Sequence, residues 1–262
     1  MLSYIRKRYH PLFHLRKLRA FRALQRLVDF DFWTASGAGS GMYVKFLRDL
    51  SLVLPHDGKE QKTRQVFIKM ISELKPDVFI DIGANVGLYS WHAKRQEVPI
   101  ILMFEPDRDN SRLLAKTIRA NRMHGVFVLA CAISDQAGIS EFLEDQASGA
   151  TGSLVDRSAS RESLHGAYGM SHKVLAPTLS LDVFTDYCRN KKVFVKIDVE
   201  DAEDKIFAGG QAFFADVMPY VLVECFDVER LSLFRCLGYA IKPLQENSNY
   251  LLTPASSPFA VA

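Results

Sequence analysis

The segment Asp81-Ile82-Gly83-Ala84-Asn85-Val86-Gly87 sets an acid and two glycines where an apolar run, DVFIDIG, gives way to a helical one, GLYSWHAKR. A strand–turn–helix junction brings main chain against a ligand at the carboxyl edge of a sheet. Glycine permits the approach because it lacks Cβ. The spacing is G-x-x-x-G, whereas a dinucleotide pyrophosphate calls for G-x-G-x-x-G. A carboxylate beside the turn suits a cationic ligand, and S-adenosylmethionine carries an ammonium and a sulfonium. Glu105 closes the next apolar run, 22 residues after Gly83, where an acid accepts hydrogen bonds from ribose hydroxyls. Ala132-Ile133-Ser134-Asp135 closes the third, where an adenine ring would be flanked. Each element alone is weak, since a strand-end acid can simply cap the next helix. In this order and at these spacings the combination is specific.

A second group follows on the fourth apolar run, VFVKIDVE. Alternation along a strand sends Lys196, Asp198 and Glu200 to one face. Methyl transfer is an in-line displacement, so a protein performing it must align an acceptor oxygen and take its proton. Asp198, or second to it Glu200, is the candidate general base, with Lys196 steadying the carboxylates. Two other readings stay open. Asp198, Glu200, Asp201, Glu203 and Asp204 put five acids in seven positions, a composition a divalent cation can use; no metal site is assigned. Glu203 and Asp204 also open a helix, where acids are favoured by the macrodipole alone. Glu224, ending the fifth run, joins either arrangement or satisfies a backbone amide. His172 and His165, in a polar stretch, are floating candidates for the base. His92, Trp33 and Trp91 read as packing residues.

The elements that must hold these groups alternate regularly from about residue 59. A helix over 60–74 leads into the strand ending at Gly83, a helix, and the strand PIILMFEP. A helix over 109–122 precedes one strand, VFVLACAIS; a helix over 179–190 precedes VFVKIDVE, and a helix over 203–215 precedes YVLVECF. A helix over 227–237 and two short strands near 239–242 and 249–252 close the pattern. Continuously apolar strands alternating with helices predict a mostly parallel, doubly wound α/β sheet, with an antiparallel hairpin at one edge. The stretch 144–176 is long and polar for a connection, as functional covers are. Residues 1–58 read as a basic amphipathic extension and loop, with 31–58 irregular, 59–253 as the main domain and 254–262 as a tail.

The 262 residues are 48 % apolar with a net charge of +3. Residues 1–26 hold eight basic side chains and no acid; the remainder is net acidic, which argues against a nucleic-acid binder. Cys131, Cys188, Cys225 and Cys236 form no C-x-x-C pair and read as reduced thiols of a cytoplasmic protein. No apolar run reaches the roughly eighteen residues of a membrane span, and no signal peptide is expected. The arm, residues 1–30, repeats Leu12, Leu15, Leu18, Phe21, Leu24, Leu27 and Val28 at helical spacing. Packing on the domain, peripheral contact with an anionic membrane, and docking of a partner or second subunit all fit it.

With these motifs in hand, the chain resembles the FkbM-type methyltransferases. The matching pieces are DIGANVGLYS at 81–90, FEPD at 104–107, AISD at 132–135, LSLD at 179–182 and KIDVEDAE at 196–203, with Pro219 and VLVEC at 221–225 following. The resemblance covers roughly residues 60–253. It implies a Rossmann-like class I methyltransferase fold, S-adenosylmethionine as donor, and O-methylation of a hydroxyl on a sugar, glycolipid or related small acceptor. By that resemblance Asp81, Gly83, Asn85, Gly87 and Glu105 line the donor, Ala84 lies in the same turn, and Ser134 and Asp135 stand near the adenine. Asp201 replaces the family's glycine; if that position has φ > 0, Asp tolerates it better than most residues. Two alternatives are carried: an NAD-dependent Rossmann oxidoreductase, opposed by the glycine spacing, and an inactive methyltransferase-like domain that binds a partner.

Overall fold

A computed structural model describes residues 15, 18–35, 39–53, 61–146, 149, 152–154, 171–245 and 248–257. The first fourteen residues of the arm, the first half of the SGAGSG loop, the PHDG turn, most of the 144–176 stretch with His165, and the last five residues lie outside them.

The first described elements are helix α1 (Arg19–Val28), a hairpin of β1 (Asp31–Ala35) and β2 (Gly41–Lys45), and the helical turn α2 (Leu50–Val53). Helix α3 (Gln61–Leu74) leads into β3 (Val78–Ile82), α4 (Leu88–Arg95), β4 (Ile100–Phe104), α5 (Arg108–Ala120) and β5 (Val126–Leu129). Then come β6 (Ala132–Ser134), β7 (Gly138–Asp145), β8 (Ser171–Ser180), α6 (Thr185–Cys188) and β9 (Val193–Ile197). Helices α7 (Glu203–Ala208) and α8 (Gln211–Val217), β10 (Tyr220–Glu224), α9 (Ser232–Cys236), β11 (Tyr239–Pro243) and β12 (Asn249–Pro254) complete the chain.

Seven strands make one sheet in the order β5-β4-β3-β9-β10-β12-β11. The first five are parallel to one another. Strand β12 runs antiparallel between β10 and β11. The expected edge hairpin is therefore present, with the last strand taking its inner place.

Strand alternation divides the core into two layers. Val78, Ile80 and Ile82 pack with Val193, Val195 and Ile197 on one face. Phe79 and Phe194 pack with Phe67 and Trp91 on the other. Asp81 and Lys196, directly paired in register, belong to this second face and are buried beneath α4.

Four expectations need correction. The single strand over 126–134 divides at Ala130-Cys131, because β6 leaves the main sheet and joins β8 and β7 in a three-stranded one. The helix over 179–190 shrinks to a 3₁₀ turn, Leu181–Phe184, and α6, because pairing with β7 holds 171–180 as strand. The helix over 203–215 breaks at Gly209-Gly210. A Cβ at Gly209 would lie 2.1 Å from the Ser134 carbonyl oxygen, so the break seats directly on β6. The irregular segment after residue 31 contains the β1–β2 hairpin, which is tied to α5 by ion pairs and by hydrogen bonds from the Tyr43 N–H to Thr117 and from Asn121, just past its end, to the Gly41 carbonyl. Arg112 grips Asp31 with both guanidinium nitrogens at 2.7 and 2.8 Å, and Lys116 adds a third bond at 2.8 Å. These cations hold the Asp31 carboxyl far below the usual carboxylate range.

Candidate active site

The carboxyl ends of β3, β4 and β9 open onto a cleft. Gly83 and Asn85 follow β3, Glu105 and Asp107 follow β4, and Asp198 and Glu200 follow β9; all six line it. Phe104, Ile133 and Phe142 supply an apolar wall. Four of the lining side chains are carboxyls, and among the described residues none is a lysine or arginine.

Glu105 is the most constrained of the four. It is 5 % exposed, and its two carboxyl oxygens accept the Asn85 N–H at 2.6 Å and the Asp107 N–H at 2.9 Å. Burial pushes its pKa up to about 8, with the neighbouring Asp107 carboxyl adding to the shift. Asn85 reaches this contact with φ +52°, a left-handed conformation that Asn tolerates. Its Oδ1 is buried and has no partner among the described residues, leaving an acceptor for a ligand N–H or O–H. Asp107 caps α5 by accepting the Asn110 N–H at 2.9 Å. Behind it lies Arg48, fully buried, which donates to Asp49 at 3.2 Å and to Asn110 Oδ1 and stands 3.9 Å from Asp107. The region before residue 59 thus buttresses the cleft.

On the opposite side, Lys196 Nζ donates to Asp198 Oδ2 at 2.7 Å and sits 4.5 Å over the Tyr89 ring. Regular strand ends at Ile197; the Asp198 N–H still bonds the Ile82 carbonyl at 3.1 Å, so the carboxylate emerges just past the sheet edge. Its side chain is 30 % exposed, against 6 % for Lys196. An anion held by a buried ammonium yet open to a cleft can accept a proton from a hydroxyl placed there. Glu200 is positioned by its main chain, whose carbonyl accepts the Ser153 hydroxyl. Asp201 has φ +62°, which explains why an Asp can stand at a glycine's place.

Several expected site residues lie elsewhere. Asp81 is 1 % exposed and points under α4, where Ser90 Oγ bonds it at 2.6 Å and Lys196 opposes the burial that raises its pKa. It therefore orders the turn from behind and does not line the cleft. Gly87 starts α4 with φ +83°; a Cβ there would meet Leu114 and Trp91 at 2.7 Å, so its glycine serves helix packing. At Gly83 a Cβ would fall 2.1 Å from the Asp198 carbonyl oxygen: the glycine lets β9 approach as well as exposing backbone to the cleft. Ala84 is buried beside the turn. Ser134 bonds Asp135 at 2.8 Å, and both fall beyond the cleft, whose rim is formed instead by Ala132 and Ile133.

The remaining candidates also separate. His172 is exposed on β8 opposite Glu144, away from the cleft. His92 is buried, and desolvation with Arg64 and Arg95 lowers its pKa to about 4, which keeps it neutral at physiological pH. Arg230 holds Glu203 at 2.7 Å and Asp204 at 3.3 Å, so these acids face a guanidinium. Among the described residues no group of three or more His, Cys, Asp or Glu is placed to hold a metal ion. Glu224 is buried at the end of β10, opposite Asn249. Sequence reasoning missed Phe142, Gly152, Ser153 and Arg48. The polar stretch after β7 signalled Gly152 and Ser153, nothing singled out Phe142 within β7 itself, and the charged pair inside FLRDLSL signalled Arg48.

A parallel sheet with one inserted antiparallel strand, carrying an acidic cleft at its carboxyl edge, defines the Rossmann-like class I methyltransferase fold. The sequence matches the model of the Methyltransferase FkbM domain over residues 81–251. The chain belongs to the FkbM methyltransferase family. No curated protein matches it. Among solved structures it is similar to methyltransferase FkbM from Methylobacillus flagellatus KT, with 16 % identity over 66 % of this chain and 42 % of that one, at TM-score 0.45. This chain thus spans about two-fifths of that protein's length. A methyltransferase from Geobacter sulfurreducens shares 12 % identity over 73 % of this chain and 78 % of that one, at TM-score 0.45. M. jannaschii TYW2, solved in complex with AdoMet, shares 12 % identity over 86 % and 84 %, at TM-score 0.43.

Proposed function

We propose that the cleft binds S-adenosylmethionine and that the protein O-methylates a hydroxyl of a sugar, glycolipid or related small acceptor. The observation that carries this reading is the acidic lining of the cleft: four carboxyl groups, Glu105 ionising only above about pH 8, and, among the described residues, no lysine or arginine. Such a lining favours a donor bearing an ammonium and a sulfonium and repels the pyrophosphate of NAD, whose binding motif is also absent. S-adenosylmethionine, when bound, supplies a methyl group activated by the sulfonium. Glu105 offers its carboxyl oxygens to the ribose hydroxyls, Asn85 Oδ1 accepts a further donor, and the Ile133–Phe142 wall receives the adenine. Asp198, oriented by Lys196, takes the proton of the acceptor hydroxyl. Retention of all these groups speaks against an inactive, purely partner-binding domain. The test is a mass-spectrometric screen of sugar and glycolipid acceptors incubated with the protein and S-adenosylmethionine. Gain of one methyl on a hydroxyl is expected; methylation of nitrogen or carbon would remove the O-methyl assignment.

A further inference from the structure

We infer that α1 and the residues around it form a docking face for an anionic lipid membrane. Gln25 is the buried side of this helix, and its amide donates to the Gln146 carbonyl at 3.1 Å. The outward side is apolar. Ala20, Ala23, Leu24 and Leu27 follow the i, i+3, i+4, i+7 spacing of one helical stripe, and all four are exposed, Leu27 by 83 %. Leu18 and Phe30 extend the exposed apolar surface at either end, and Phe30 is braced by Phe46 stacked at 5.2 Å. The sequence of the same segment is basic: residues 1–26 carry eight basic side chains, Arg19, Arg22 and Arg26 among them, and no acid.

That charge selects the occupant. A second copy of the same helix would set like charges against each other. A nucleic acid would neutralise the arginines but leave the leucines in water. An anionic lipid surface takes both, with leucines and Phe30 entering the acyl boundary and basic side chains meeting headgroups. The helix lies on the surface and does not cross it: ten residues span about 15 Å, half of a hydrocarbon core of about 30 Å. Among the described residues no helix is long and apolar enough to traverse one.

The full chain is to be co-sedimented with vesicles of phosphatidylcholine, with and without a one-third share of phosphatidylglycerol, at low and high salt. Binding is expected on the anionic vesicles and is expected to weaken with salt. Leu24→Glu with Leu27→Glu should weaken it at least tenfold. Arg19→Gln, Arg22→Gln and Arg26→Gln together should weaken it about a hundredfold, from roughly fivefold per basic side chain. Circular dichroism and melting temperature, unchanged in both variants, keep the comparison about the surface; the salt dependence of the wild type needs no variant at all. Equal binding to neutral vesicles, equal binding by the leucine variant, or RNA retention or self-association without vesicle binding would each overturn the inference.

Discussion

Glu105 should oppose folding while serving binding, and the substitution Glu105→Gln separates the two. In the folded chain its pKa is about 8, against 4.5 for the free side chain. Below pH 4.5 folded and unfolded chains both hold the proton. Between 4.5 and about 8 the unfolded chain releases it and the folded chain keeps it, so wild-type stability falls as pH rises and levels above 8. At 1.36 kcal/mol per pKa unit the loss reaches about 5 kcal/mol at its upper bound. Glutamine cannot ionise, so the variant escapes that loss. It has one acceptor oxygen for the Asn85 and Asp107 N–H groups, however, and one unmet N–H costs about 1–3 kcal/mol. The variant should therefore be more stable than wild type by about 2–4 kcal/mol above pH 8 and no more stable below pH 4.5. Urea unfolding in half-unit pH steps measures this directly. Above pH 8 the same variant should bind S-adenosylhomocysteine at least tenfold more weakly, since charged hydrogen bonds to the ribose are replaced by neutral ones. Parallel stability profiles for the two proteins would refute the reasoning.

Other positions give separate checks. Gly83→Ala should cost at least about 3 kcal/mol, because the left-handed backbone costs about 1–2 kcal/mol and the methyl also strikes the Asp198 carbonyl. Gly238→Ala, at φ +80° with nothing within 4 Å, should cost only the backbone part; equal losses in thermal melts would show that the contact is immaterial. Asp201→Gly should leave stability within about 0.5 kcal/mol, whereas Asp201→Val should lose about 2 kcal/mol. Asp198→Asn should lower kcat about 10²- to 10⁴-fold with donor affinity retained; a fall in affinity with kcat unchanged would assign Asp198 to donor binding.

The parts of the site that were legible in the sequence are those set by local rules. Strand ends carrying Glu105 and Asp198 follow from periodicity; the left-handed backbone at Asp201 is a condition raised only by the family resemblance, and the structure supplies it. The parts that were not depend on what another element brings. Asp81 turns away from the cleft because its register partner is Lys196 and its roof is Ser90. Gly87 answers to Leu114 on a different helix. Ser134 and Asp135 miss the rim because β6 leaves the main sheet for β8, and that pairing joins residues far apart in the chain across a polar stretch. The hairpin before residue 59 was hidden for a similar reason: its strands are held by Arg112 and Lys116 on α5, and nothing within 31–45 announces those partners.

The account rests on a donor seated between Glu105 and Asp198, and calorimetric titration at pH 8.5 tests it most directly. S-adenosylhomocysteine should give saturable heat with one site per chain, and NADH should give none. Saturable binding of NADH, or no heat from S-adenosylhomocysteine with the folded wild-type protein, would contradict it.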